Sequence, residues 1–362
     1  MKIPSLQTYS VAPFLKSQVN IFCALLHSPL GNFVDHVLYC ASVKELIKDA
    51  YLDVYYRPDR PYKEKIISMA DGIDAAWPVV KQFPLGMFNS SSHRSVRGAD
   101  EWYQNGSADP NLFLVPSMCT FNDLAALPRI TRLRVPESDR YDEELRRLIG
   151  PGWFVIFHYR EPGYEFRPNI SSREANMDQI PKIIDRIIHL GGQAVRIGHP
   201  EMTDFEPRPG FIDLKNAEFF LQAQAVARAR CFLEISGSGP ASLAQAQGVP
   251  QARCNLLDVV GAGVRPELGF VAPKRVITRS GEDVTRTLIE MNKITRKSIE
   301  SSPDFEFREL SLRDIFDVLD HLLEFSKNST HGWRDVSPVP PLPPIDGFYP
   351  GRTMPVPVSI LL

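Results

Sequence analysis

Short apolar runs bounded by turn residues recur along this chain, and the segments between them carry apolar residues at helical spacing. Buried parallel strands read as such runs, and strands that alternate with helices build doubly wound α/β sheets. The alternation starts twice. Residues 19–26 (VNIFCALL) read as a buried strand, residues 33–47 as a helix and residues 52–56 (LDVYY) as a second strand. Residues 130–135 read as a strand, followed by a turn and helix over 136–147. The pattern restarts after Gly150-Pro151-Gly152, the best candidate for a hinge. Residues 153–159 (WFVIFHY), 193–197 (QAVRI) and 231–235 (CFLEI) are strands there, and residues 177–190, 217–229, 241–247 and 310–326 are helices.

The expected fold class is therefore α/β, with two Rossmann-like domains over residues 1–150 and 151–305 and a last helix and tail over 306–362. Residues 83–109 read as loops, and the proline-rich stretch 337–350 as an extended surface strap or a docking motif. A length of 362 residues suits two domains, and 43% hydrophobic content lets each bury a core.

Charge excludes one class of partner. A formal net charge of -2 with interspersed signs gives no basic footprint for nucleic acid. An anionic ligand must be met by a local pocket. The five cysteines, Cys23, Cys40, Cys119, Cys231 and Cys254, lack zinc or disulfide-framework spacing, so a reducing cytoplasm is the expected location. No apolar stretch reads as a signal peptide or is long enough to span a bilayer.

The richest motif runs from Glu234 to Ala244, EISGSGPASLA. Gly237 and Gly239 let a backbone approach a ligand, and Pro240 suits the first turn of a helix. Exposed N–H groups at that point suit a phosphate or diphosphate, and Ser236, Ser238 and Ser242 add hydroxyls. A plain strand–turn–helix connection with capping serines is the competing reading. The motif matches neither G-x-G-x-x-G nor the lysine-bearing P-loop.

A second group, His158-Tyr159-Arg160-Glu161-Pro162-Gly163, ends a strand. Arg160 there can fork onto phosphate oxygens, unless it is simply paired with Glu161. Arg173 and Asn176 precede the next helix. Arg196, inside an apolar strand, needs either an anionic ligand or a buried acid such as Glu234. In the first half, Gly31 and Asn32 lie in the loop after the first strand. Asp35 and His36 lie on the first turn of the following helix, where either could take a proton from an acceptor.

The stretches HYREPGY, SREANMDQIPKIIDRIIHLGGQAVRIGHPEM and CFLEISGSGPASLAQAQGVP resemble a family of bacterial glycosyltransferases, over about residues 150–255. They are also similar to the donor halves of heptosyltransferases and GDP-fucose transferases of the two-Rossmann-domain (GT-B) kind. LHSPLGNFVDHVLYC is similar to the glycine loop that opens their acceptor domain. The resemblance implies two domains facing a cleft, and a nucleotide-sugar donor, GDP-linked by preference. It implies that Arg160, Arg196 and the 236–242 loop face the donor diphosphate, with His158, Arg173 and Asn176 beside them. The acceptor is a small molecule, glycan or peptide. No cofactor or metal is expected, which agrees with the lack of an Asp-x-Asp motif. Inverting transfer is the expected reaction. A nucleotide-sugar-binding protein without catalysis and a two-domain nucleotide-sugar epimerase are the alternatives.

Overall fold

The computed structural model describes residues 19–25, 29–47, 50–78, 111–114, 127, 130–161, 173–257, 264–265, 267–290, 299–328 and 349–350. The 83–109 loops, Cys119, the Pro162-Gly163 turn and residues 337–348 of the strap lie outside them. The chain divides into two units, 1–136 and 137–362.

The first unit carries β1 (Val19–Leu25), α1 (Leu30–Leu46), β2 (Ala50–Tyr56), α2 (Tyr62–Ser68), β3 (Ala75–Pro78) and β4 (Asn111–Leu114). The sheet order is β3-β2-β1-β4, and every pairing is parallel. Helix α1 begins earlier than the apolar spacing indicates. The Pro29 carbonyl accepts from Phe33 N–H at 3.0 Å, so Leu30, Gly31 and Asn32 form the first turn. Proline before a helix is preset for that role. Residues 130–135 make only an isolated bridge between Leu133 and Ala70. The side chains of α1 claim their polar groups instead: Thr131 N–H donates to Ser42 Oγ at 3.0 Å, and its hydroxyl to Glu45.

The second unit opens with α3 (Ser138–Ile149) and β5 (Phe154–His158). After the 3-10 turn Met177–Gln179 come α4 (Ile180–His189), β6 (Gln193–Arg196), β7 (Phe211–Asp213), α5 (Phe219–Arg228) and β8 (Cys231–Glu234). Then follow α6 (Pro240–Ala246), β9 (Gln251–Leu256), β10 (Gly269–Pro273), β11 (Arg275–Thr278), α7 (Thr285–Glu290), β12 (Phe305–Arg308), α8 (Leu312–Asn328) and β13 (Tyr349–Pro350). The main sheet runs β13-β10-β9-β8-β5-β6-β7, parallel except for β13, while β11 and β12 pair antiparallel. Read from β7 to β10, this is the doubly wound order of a dinucleotide-binding domain, with its reversal between β5 and β8.

One sheet face packs on α4 and α8. Ile180, Ile183, Ile184 and Ile187 recur at helical spacing and meet Val155, Phe157, Leu233, Ile315, Val318 and Leu322. The last helix thus belongs to the core of this unit. The opening helix belongs to it as well, so the boundary falls one helix ahead of Gly150-Pro151-Gly152. Tyr141 of α3 donates to Glu218 at 2.8 Å, and Asp142 accepts from Gln224 and Arg228 of α5.

Gly269 opens β10 directly against β9. A Cβ there would stand 1.7 Å from the Gln251 carbonyl oxygen, a backbone atom fixed by its ladder. We expect Gly269→Ala to cost on the order of 3 kcal/mol in urea unfolding, and a wild-type midpoint would show that β9 and β10 pair otherwise.

Candidate functional site

The reversal between β5 and β8 leaves the carboxyl ends of both strands open, which is where ligands of such sheets bind. The sequence motifs meet there. Ile235 N–H donates to the His158 carbonyl at 2.9 Å, joining the two strand ends. Arg160 N–H donates to Ser236 Oγ at 2.7 Å, and Ser236 is fully buried beneath it. The guanidinium of Arg160 reaches the Gly237 carbonyl through Nε at 3.3 Å. Arg173 reaches the same carbonyl at 3.1 Å. Ala175 N–H, donating to the Arg160 carbonyl at 2.9 Å, pins the Arg173–Asn176 segment in place. Two arginines from separate segments therefore converge on one peptide of the serine-glycine loop.

Glu161 is turned elsewhere. Its carboxylate accepts from the N–H and hydroxyl of Thr203. Asn176 caps the 3-10 turn, accepting from Asp178 N–H at 3.1 Å. Gly239 is the N-cap residue of α6, and Ser242, one turn on, is buried with its N–H on the Gly239 carbonyl. His158 ends β5 with Gly198 alongside it. Burial, then Arg160 and Arg196, push its imidazole down to about 3, so it is neutral at physiological pH. Among the described residues, His158 Nδ1 and Ser238 Oγ are buried without a hydrogen-bond partner. Buried orphans of this kind mark places where water or a ligand belongs.

Arg196 requires a correction. It is 0% exposed and sits over the Phe205 ring. Asp213 takes it at Nε (3.0 Å) and again at the terminal nitrogen. The Tyr159 hydroxyl and Thr203 carbonyl accept from its other terminal nitrogen at 2.7 Å. That enclosure leaves no face for a diphosphate, and the acid it pairs with is Asp213. Glu234 pairs instead with Arg253, Oε2 to Nε at 3.3 Å, and accepts the Ser238 N–H on its other oxygen. Burial pushes the Glu234 carboxyl above its usual range, against the opposing pull of Arg253, Ser238 and Arg173. Sequence reasoning missed Arg253. The signal was the alternation of Gln251, Arg253 and Asn255 along β9, polar residues on one face of a buried strand.

In the first unit, Gly31 and Asn32 are helical rather than loop residues. Asp35 and His36 fall in the second turn of α1, 5% and 8% exposed. Among the described residues no His, Cys, Asp and Glu cluster has the makings of a metal site, and no helix is long and apolar enough to cross a membrane.

No family model matches the chain, and no curated protein matches it in sequence. Solved structures do. A glycosyl transferase family 9 structure from Veillonella parvula matches at 12% identity over 84% of this chain and 97% of that one, with a TM-score of 0.50. The E. coli ADP-heptose LPS heptosyltransferase II matches at 13% identity over 85% and 100%, with a TM-score of 0.49. The fold is that of the GT-B glycosyltransferases. A GT-B fold has two Rossmann-like domains, and both units here carry the parallel sheet such a domain requires. At these identities the likeness concerns the fold and names no substrate.

Removal of Arg196 should damage the fold rather than the site. We expect Arg196→Met to lose about 3 kcal/mol in urea unfolding, because the buried Tyr159 hydroxyl and the Thr203 carbonyl lose their donor and Asp213 its partner. Ligand affinity in the folded fraction should stay near wild type. An unchanged urea midpoint with lost ligand binding would return Arg196 to the site.

Proposed function

We propose that this protein is a glycosyltransferase that moves a sugar from a nucleoside diphosphate donor to an acceptor. The observation that carries the reading is the convergence of Arg160 and Arg173 at the open strand ends, beside a small-residue loop. Two fixed cations there suit a diphosphate, and arginine binds phosphate oxygens in a planar fork. The orphaned His158 Nδ1 and Ser238 Oγ supply further polar contacts.

The reaction proposed is a single displacement with inversion at the anomeric carbon. As the sugar leaves, negative charge grows on the diphosphate. Arginines already in place favour that state over the ground state. They would perform the charge neutralisation for which other transferases use a metal. Asp35 and His36 are the candidates for the base that takes the acceptor proton. A GDP-linked donor is favoured by the motif resemblance. The acceptor is a glycan, peptide or small metabolite. A reducing compartment such as the cytoplasm suits the four described cysteines, all free and buried.

A thermal-shift panel of ADP, GDP and UDP tests the reading first, since only ligands of the native state raise the midpoint. At least one should raise it, and none doing so would overturn the function. The corresponding sugar nucleotide then serves for kinetics. Arg160→Lys keeps the charge and loses the fork, so turnover should fall on the order of a hundredfold with a much smaller change in donor affinity. Wild-type turnover would remove Arg160 from the site. Turnover should also survive EDTA. A loss restored by added Mg²⁺ or Mn²⁺ would overturn metal independence.

A further inference from the structure

A single peptide group links the buried and the open side of the switch-point loop. The Gly237–Ser238 peptide carries its carbonyl toward Arg160 and Arg173, at 3.3 and 3.1 Å. Its N–H donates the other way, to the carboxylate of Glu234. A trans peptide is planar, with N–H and C=O on opposite sides, so fixing one end fixes the other. Glu234 is 1% exposed at the end of β8 and is itself held from behind. In the sheet register it faces Arg253 of β9, whose Nε lies 3.3 Å from its second oxygen. The same Nε donates to Gln251 Oε1 at 3.3 Å. The line therefore runs Gln251, Arg253, Glu234, Ser238 N–H, Gly237 C=O and the two arginines. Gln251, Arg253 and Glu234 are buried, and the Ser238 N–H bond lies partly so at the edge of the loop.

We propose that Glu234 is the positioning residue of the donor site: by holding the Ser238 N–H it aims the Gly237 carbonyl outward, and that carbonyl sets the two guanidiniums at the spacing a diphosphate needs. This rests on the function proposed above and adds a residue that touches no substrate. Without the carboxylate the peptide can rotate, and both arginines lose their shared anchor. The nucleoside part of the ligand is untouched by that change, so the effect must appear on the phosphates alone. A merely structural glutamate would not produce such a split.

Two measurements on the full chain test it. The first is ligand-free: serine-selective ¹⁵N labelling, with the Ser238 amide assigned by its loss in Ser238→Ala. That proton should be protected from exchange in wild type and lose protection in Glu234→Ala. The second is calorimetric titration with whichever of ADP, GDP and UDP binds, and with its nucleoside. Glu234→Ala should weaken the diphosphate about tenfold, the scale of one charge-assisted hydrogen bond, and leave the nucleoside unchanged. Glu234→Gln fills the same volume and keeps one acceptor, so it should fall between. It also carries the test if the alanine variant does not fold. Wild-type diphosphate affinity in both variants, or equal weakening of diphosphate and nucleoside, overturns the role of Glu234 alone. A wild-type protein that binds none of the three diphosphates overturns it together with the proposed function.

Discussion

The order of strands in the second unit reverses between β5 and β8, and the site depends on that reversal. Crossovers from β5 lead away to β6 and β7, and those from β8 lead the other way to β9 and β10. Between them, the last residues of both strands end without a connection passing over. Backbone groups there must be satisfied locally. The loop after β8 does so by turning back on the end of β5: Ile235 binds the His158 carbonyl, and Ser236 takes the Arg160 N–H. A polar loop of small residues is thus fastened to an arginine-bearing strand end by the same bonds that finish the sheet.

Much of this was legible in the sequence, because it is local. An apolar run such as FVIFH and a glycine-serine loop before a proline state their conformation within a few residues. Strand-end position placed Arg160 at the ligand-binding edge, and the family resemblance implied that it faces the same diphosphate as the 236–242 loop. What was not legible depends on register. Arg196 reads the same whether it faces a ligand or Asp213, and only the pairing of β6 with β7 sets Asp213 beside it. Glu234 was a candidate partner for Arg196, yet β8 is flanked by β5 and β9, which sets Arg253 beside it. The early start of α1 and the loss of a strand at 130–135 share a different cause. A carbonyl at Pro29 and the Ser42 hydroxyl captured backbone N–H groups, and Glu45 the Thr131 hydroxyl, none of which periodicity tracks. Short elements such as α2 and β3, at seven and four residues, are too brief for periodicity to resolve.

The boundary between units shows how packing overrides a hinge signal. Gly150 and Gly152 both adopt positive φ, at 72° and 123°, as the glycine-rich sequence implies. That conformation ends α3 and turns the chain into β5. It does not separate domains, because α3 is already anchored. Asp142 holds both Gln224 and Arg228 of α5, and Tyr141 packs on Phe220 while reaching Glu218. Burial of the apolar stripe of α3 adds roughly 1.5–3 kcal/mol per large side chain. A helix so fixed moves with the sheet that its partner covers.

Two buried arginines in this unit show how similar residues come to do different work. Arg196 and Arg253 both lie in buried strands, where an unpaired guanidinium would be prohibitively desolvated. Arg196 spends its hydrogen bonds within its own surroundings: Asp213, Tyr159 and the Thr203 carbonyl close around it. Its field nevertheless reaches His158, where together with burial and Arg160 it keeps the imidazole neutral. A third positive charge at the strand end is thereby avoided, and a neutral ring can accept as well as donate a hydrogen bond. Arg253 lies on the opposite face of the sheet and is paired with Glu234. The carboxylate stands between one cation below and two at the open edge, and the peptide it holds transmits orientation rather than charge. Replacing Arg196 disturbs the sheet alone; replacing the acid beside Arg253 leaves that buried guanidinium unpaired and also frees the loop peptide. The distinction follows from which neighbours the register supplies, and it separates residues that build this fold from those that aim its site.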